Sequence, residues 1–267
     1  MPEMKKIFIL CEKGLEVLMP TVKSAVDDMM SCFPQHKADY PVEVIGNWQS
    51  EGAVRQNSAG QIVYKPYESV DWYLMRARQK AMMEGRWPQR GQISIDQLCA
   101  DLHSDPYRTQ IPQWSVLITK QDLYGTLSNG QKLNFCLGVS HENEHSIIST
   151  ARFVDRNGIL DTEEFKTVVM HEFGHLIGVT REGRVHSNEQ LGAHCTNEGC
   201  LMQQRLDGDY KELTRARLLR ESRGQTPICG DCITEGNKFF NRQRMAYNIT
   251  HGLGFNTGLD GNYGTTR

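Results

Sequence analysis

Two hydrophobic periods divide the chain. The run Lys5 to Leu10 (KKIFIL) predicts a buried strand. From Leu15 to Phe33, apolar residues recur every three or four positions (Leu15, Leu18, Met19, Val22, Val26, Met29, Met30), which predicts a helix, with Pro20 an objection near its first turn. Val42 to Trp48 predicts a second strand, so the first 48 residues read as a parallel strand–helix–strand crossover. Residues 50–66 are polar and read as loop. Trp72 to Gly85 and Ile93 to Leu102 read as helices, and Trp114 to Thr119 as another buried strand. Leu123 to Phe153 reads as a hairpin region turning at Asn129-Gly130, with arms Leu133 to Val139 and Ser146 to Phe153.

The helix that opens at Asp161 has the clearest signals. Asp161 with Glu164 forms a capping-box pattern, and Phe165, Val168, Val169, Phe173, Leu176 and Ile177 line one face before Gly178 stops it. Beyond Gly178 the chain is polar and rich in glycine and cysteine as far as Cys232. A last helix is expected from Asn237 to about Ile249. The expected organisation is a single α/β domain over 1–251, with an N-terminal subdomain (1–178), a C-terminal subdomain (179–251) and a flexible tail (252–267).

Composition narrows the function classes. Across 267 residues, 30 Lys and Arg balance 32 Asp and Glu, so the net charge of −2 gives no reason to expect nucleic acid or an anionic membrane as partner. No apolar run approaches the length of a membrane span, and Ile7 to Leu10 is too short for a signal peptide's core, so a cytoplasmic location is expected. In that compartment the eight cysteines stay reduced, and closely spaced ones then point to metal. Cys11, Cys32, Cys99 and Cys136 are scattered, whereas Cys195, Cys200, Cys229 and Cys232 are clustered.

The predicted helix carries His171-Glu172-Phe173-Gly174-His175, which fits His-Glu-x-x-His. On a helix the two histidines lie about 40° apart around the axis, one turn up, and can share one zinc ion. Glu172, about 100° from His171, is then placed to take a proton from water activated by the ion. The pattern also occurs at His141-Glu142-Asn143-Glu144-His145, between two β-rich segments. There an extended chain would hold the histidines about 13 Å apart, so this copy reads as a solvated loop. A third ligand must follow Gly178. Position 181 is Arg, leaving His186, His194 and His251. Cys195-x4-Cys200 and Cys229-x2-Cys232 suit a closed tetrahedral structural zinc site. Among the other polar residues, Arg215, Arg217, Arg220 and Arg223 read as a solvated helix face, and Arg152 as a carboxylate binder or salt bridge.

Taken jointly, His171-Glu172-x-x-His175-x-x-Gly178, His194-Cys195-x4-Cys200-Leu201-Met202 and Cys229-x2-Cys232 resemble the archaemetzincins, a branch of the metzincin zinc peptidases. Ile118-Thr119-x-x-Asp122-Leu123-Tyr124 and Ser149-x-Ala151-Arg152 are similar to family segments upstream of the zinc helix. The resemblance implies a twisted, mostly parallel five-stranded sheet with an antiparallel edge strand, a zinc-binding active-site helix and a zinc-stapled C-terminal lobe. It implies that His171, His175 and His194 hold a catalytic Zn2+, that Glu172 is the general base and that Met202 is the Met-turn residue. Cys195, Cys200, Cys229 and Cys232 would hold a second, structural Zn2+. Leu133 to Val139 is the expected edge, binding an extended peptide or protein substrate by strand addition. The chain departs from the family in length: 15 residues separate Gly178 from His194, 13 more than the family's two, and 28 separate Cys200 from Cys229. His194 is favoured over His186 because it keeps its junction with Cys195. The implied activity is a zinc metallopeptidase, either endopeptidase or aminopeptidase. The alternative is an inactive, zinc-stabilised binding module in which His186 closes the site and both metals are structural.

Overall fold

The computed structural model describes residues 4–48, 53–56, 62–65, 69–104, 113–126, 130, 132–189, 192–204 and 210–250. The tail 252–267 and Asn129 therefore lie outside the described residues. In chain order the elements are β1 (Lys6–Cys11), α1 (Met19–Met30), α2 (Pro34–Lys37), β2 (Val42–Gly46), β3 (Ala53–Gln56), β4 (Ile62–Lys65), α3 (Val70–Met83), β5 (Gln92–Ser94) and α4 (Ile95–His103). They continue with β6 (Gln113–Thr119), β7 (Asp122–Thr126), β8 (Lys132–Cys136), β9 (Gly138–His141), β10 (His145–Ser149) and α5 (Thr162–Leu176). The last are β11 (Ser187–Asn188), β12 (His194–Cys195), α6 (Lys211–Ser222) and α7 (Gly230–Thr250).

The main sheet has five strands in the order β2-β1-β6-β10-β9. The first four run parallel, and β9 pairs antiparallel with β10 at the edge. Strands buried on both faces read as continuous apolar runs, and β1, β6 and β10 are accordingly buried almost end to end. One face packs on α1 and α5 through Ile7, Ile9, Val22, Met29, Val116, Val168 and Phe173. The other packs on α3 and α4 through Leu10, Tyr73, Leu74, Leu98, Leu117 and Ile147. Helices on both faces with an antiparallel edge give the α/β architecture that the resemblance implies. The two upstream motifs meet in it: Arg152 is paired in two places to Asp122, and Ser149 Oγ donates to the Gln121 carbonyl at 2.6 Å.

Several elements differ from the sequence reading. Pro20 is no obstacle, because it sits in the first turn of α1, where its missing N–H has no helical partner to lose. Residues 53–56 and 62–65, within the expected loop, pair as an antiparallel hairpin. Ile93 and Ser94 belong to β5, and Ser94 caps α4 by accepting from Gln97 N–H. The helix expected from Asn237 begins at Gly230, inside the second cysteine pair.

The expected edge, Leu133 to Val139, is divided between two sheets. β8 pairs with β7 in a second sheet of order β5-β7-β8, and β9 alone forms the edge of the main one. The basic run is not a solvated face throughout: Arg217 is buried on α6, donating to Thr167 Oγ1 at 3.0 Å and pairing with Glu163 and Glu221. No helix of the described residues is long and apolar enough to cross a membrane.

Candidate metal centres and active-site cleft

Helix α5 begins as its cap predicts, with Asp161 Oδ1 accepting from Glu164 N–H at 2.9 Å. It lies against β9 and β10 and buries nearly all its side chains from Phe165 to Leu176, including His171 and Glu172. Gly178, at φ 62°, closes its C-terminus, and its N–H donates to the His175 carbonyl at 3.0 Å. The chain returns through the long insert, and β12 brings His194 beside the helix. The His171, His175 and His194 rings then lie 4.7 to 5.2 Å apart, centroid to centroid.

Each ring is oriented through its Nδ1. His171 Nδ1–H donates to the Leu201 carbonyl (2.8 Å), His194 Nδ1–H to the Gly192 carbonyl (2.9 Å), and His175 Nδ1 meets Thr180 Oγ1 (2.8 Å). A carbonyl only accepts, so neutral His171 and His194 must carry the hydrogen on Nδ1, leaving Nε2 as a bare lone pair. The His171 and His175 Nε2 atoms face each other at 3.1 Å. That donor set fits a zinc ion, for which ligating histidines characteristically give their other ring nitrogen to a carbonyl or similar group. Burial reinforces it. Desolvation first, then the neighbouring His194, holds His171 down at about 3, and desolvation with the other two rings and Arg184 holds His175 well below the ordinary histidine range. Neutral imidazole is the form that binds metal. His186 is outside this group: it is exposed, at φ 63° on the turn before β11.

Glu172 projects from the same helix turn toward β9. Ser140 Oγ lies 2.8 Å from Glu172 Oε2 and 2.8 Å from its backbone carbonyl oxygen. The strand approaches this closely because residue 138 is glycine. A Cβ there would stand 2.9 Å from Glu172 Cγ and 2.9 Å from the Ile147 carbonyl oxygen. Desolvation pushes the Glu172 carboxyl up to about 7, partly opposed by the Ser140 hydrogen bond. Around these groups opens a cleft of about 790 Å³, with β8 and β9 as one wall, His171, Glu172 and His175 as floor, and Tyr210 among its other lining residues. Tyr210 stands edge-on to His171 at 6.0 Å between centroids. Ser140, Thr180 and Tyr210 are missed by sequence reasoning. No spacing rule links them to the helix, and only the pairing of β9 with β10 and the course of the insert bring them in.

The second cluster assembles as its spacing implies. Cys195 and Cys229 sulfurs are 3.6 Å apart, as are those of Cys200 and Cys232, and all four are within reach of one ion. Donors surround them: Asn197 N–H and Cys229 N–H point at the Cys195 and Cys200 sulfurs (3.4 and 3.3 Å), Asn197 Nδ2 at Cys229, and both Arg184 Nη atoms lie 3.4 Å from Cys232. Thiolate rather than thiol is the form such donors favour, and it is the form zinc needs. Arg184, inside the insert, is a further residue that the cysteine spacing does not announce. Beneath the helix, buried Met202 packs against Gly174, and its carbonyl accepts from Cys195 N–H at 2.8 Å, so the floor of the histidine site and the cysteine cluster share one backbone turn.

The second His-Glu-x-x-His copy is not a solvated loop. β9 ends and β10 begins within it, so the chain reverses and His141 pairs directly opposite His145, with ring centroids 4.9 Å apart. The 13 Å separation that applies along one extended strand does not apply across a hairpin.

No protein-family model and no curated protein matches this chain. Among solved structures, it is similar to archaemetzincin from Methanopyrus kandleri, with a TM-score of 0.51 and 16% sequence identity, covering 91% of this chain and 96% of that chain. At that identity the likeness speaks for the fold: the chain has an archaemetzincin-like fold, carrying a three-histidine and a four-cysteine candidate metal group.

Proposed function

We propose that the protein is a zinc-dependent peptidase, with His171, His175 and His194 holding the catalytic ion and Glu172 acting as general base. The observation that carries this reading is the convergence of three Nδ1-anchored imidazoles and a buried carboxylate on the floor of one cleft. When bound, zinc supplies Lewis acidity, polarising a carbonyl and making water nucleophilic near neutral pH. Glu172 takes the proton from the attacking water and delivers it to the departing amine. A carboxyl poised near neutrality can do both, and Ser140 fixes one of its oxygens at 2.8 Å.

Strand β9 is the edge of the main sheet and lies along the cleft, so its backbone groups can align an extended peptide as an additional strand. The occupant is then a peptide or an unfolded segment of a protein, not nucleic acid or membrane. Cys195, Cys200, Cys229 and Cys232 hold the structural ion, and Met202 is the Met-turn residue beneath the histidines. Reduced thiolate ligands fit a cytoplasmic location. The inactive-module reading needs a fourth protein ligand to close the site, and exposed His186 lies outside the histidine group. A peptide hydroxamate tests the difference, because it binds only where a coordination position is open. Competitive binding that depends on zinc supports the peptidase, and no binding to the zinc-loaded protein overturns it.

A further inference from the structure

We propose that Cys99, His141 and His145 form a third metal site, for a borderline-soft divalent cation of the Zn2+ class, that ties the tip of the β9–β10 hairpin to α4. The two histidines are those of the second His-Glu-x-x-His copy, and no sequence motif connects them to Cys99. Cys99 lies on α4, which packs on β10, and the two histidines face each other across the hairpin. One ligand atom from each lies within 4.8 Å of the other two. Donors around a tetrahedral zinc stand about 3.5 Å apart, so small side-chain rotations close the set.

The hairpin is built to hold this arrangement. Asn143 turns the chain at φ 68°, Glu144 N–H closes the turn onto the His141 carbonyl at 3.1 Å, and Asn143 N–H is tied to the Leu176 carbonyl at 2.8 Å. Asn143 Oδ1 accepts from Lys5 Nζ and Trp114 Nε1, so the reversal is anchored from several sides.

The chemistry of the donors points to the same class of ion. One sulfur and two imidazoles suit zinc rather than calcium or magnesium, which prefer oxygen. His145 is 1% exposed and forms the buried wall, Cys99 is half-buried, and His141 is exposed, which leaves an entry side toward solvent. The surroundings are negative. Glu144 Oε2 lies 3.9 Å from His145 Nδ1 and 2.9 Å from His103 Nδ1. Burial first, then Asp96 and Glu144, pushes the Cys99 thiol up to about 12, so a binding dication must displace its proton. These ligands are separate from His171, His175 and His194. Because His141 follows Ser140 on the strand beside Glu172, an ion here also stiffens the wall of the cleft.

Metal content of the full-length protein, saturated with zinc and then freed of excess metal, tests this. Three ions per chain are expected in the wild type and two in Cys99→Ala and His141→Ala. Each substitution should weaken the third ion, read by competition with a chromogenic chelator, by more than about 100-fold. His141 is exposed, so its replacement is not expected to disturb folding. In the wild type itself, 15N ring resonances of His141 and His145 should shift as the third equivalent of zinc is added. Equal metal content in the wild type and the variants, or His141 and His145 ring resonances that do not respond to zinc, would each overturn the proposal, whatever the histidine site at 171, 175 and 194 holds. None of these readings depends on peptide hydrolysis, so the failure of this site and the failure of the peptidase reading are separate results.

Discussion

Gly174→Ala probes the floor of the histidine site. Gly174 lies between His171 and His175, and a Cβ there would fall inside contact with Met202 Sδ and 2.9 Å from both Met202 Cε and Met29 Cε. Normal carbon contacts are about 3.5 to 4.0 Å, so the neighbours must retreat by about 0.6 to 1.1 Å. Both methionines are fully buried in the main core, where overpacking costs about 1 to 3 kcal/mol. The substitution also gains about 1 kcal/mol of helix propensity, so the single variant should lose about 0 to 2 kcal/mol net. A double-mutant cycle removes the propensity contribution. With Met202→Ala as the second change, the contacts with Met202 are gone and only Met29 Cε must still give way, so the coupling energy should be about 1 to 2 kcal/mol in the relieving direction. Urea unfolding of the four zinc-saturated proteins measures it. Histidine-site zinc affinity should fall with the single change, by about 10- to 100-fold, because Leu201, whose carbonyl orients His171, is the neighbour of Met202. If alanine at 174 shifts stability equally in both backgrounds, Met202 does not pack under the helix and the reasoning fails.

Three further outcomes follow from the same geometry. Ser140→Ala removes the hydroxyl that favours the Glu172 carboxylate, so the acidic limb of the pH profile of kcat/KM should move up by as much as about one pH unit; an unmoved limb would dissociate Ser140 from the base. In protein stripped of metal at the histidines but zinc-loaded at the cysteines, Glu172 has a folded pKa near 7, above its ordinary 4.5. Stability from the protonated form is then complete below pH 4.5 and lost as pH rises through 7, by roughly 3 kcal/mol. In urea titrations between pH 5 and 8 the wild type should lose roughly 2 to 3 kcal/mol relative to Glu172→Gln, while the buried neutral histidines, which push stability the other way, act equally in both proteins; parallel profiles would contradict it. Cys200→Ser should remove the structural ion. Because Cys195 adjoins His194, it should also weaken histidine-site zinc by more than about tenfold and open the 195–232 region to limited proteolysis. Unchanged metal content and protection would refute that linkage.

Most of the frame was legible because local signals and tertiary packing agreed. The Asp161 cap, the apolar face of α5 and the stop at Gly178 specify the same helix, and the two histidine positions on it follow from its period alone. The buried strands β1 and β6 are apolar throughout and needed no partner to be recognised. What stayed hidden depends on chain reversal. His141 and His145 looked remote because a strand period was applied across a turn, and the turn is set by one residue, Asn143, in a left-handed conformation. The division of Leu133 to Val139 between two sheets occurs at Leu137, where the change of partner leaves no mark in the hydrophobic pattern. Arg217 looked solvated because its burial is made tolerable by Thr167 and Glu163 on α5, about fifty positions away in sequence. Ser140, Thr180 and Arg184 orient other residues rather than carrying a motif of their own, so only the assembled site exposes them.

The central claim is that a proton-carrying carboxylate beside a three-histidine metal site makes this chain a hydrolase. It is tested most directly by turnover of a degenerate peptide mixture by zinc-loaded wild type and Glu172→Gln at matched metal content. The account predicts new amino termini with the wild type and a rate lower by about 100- to 10,000-fold in the variant. Cleavage by both proteins at the same rate would contradict it.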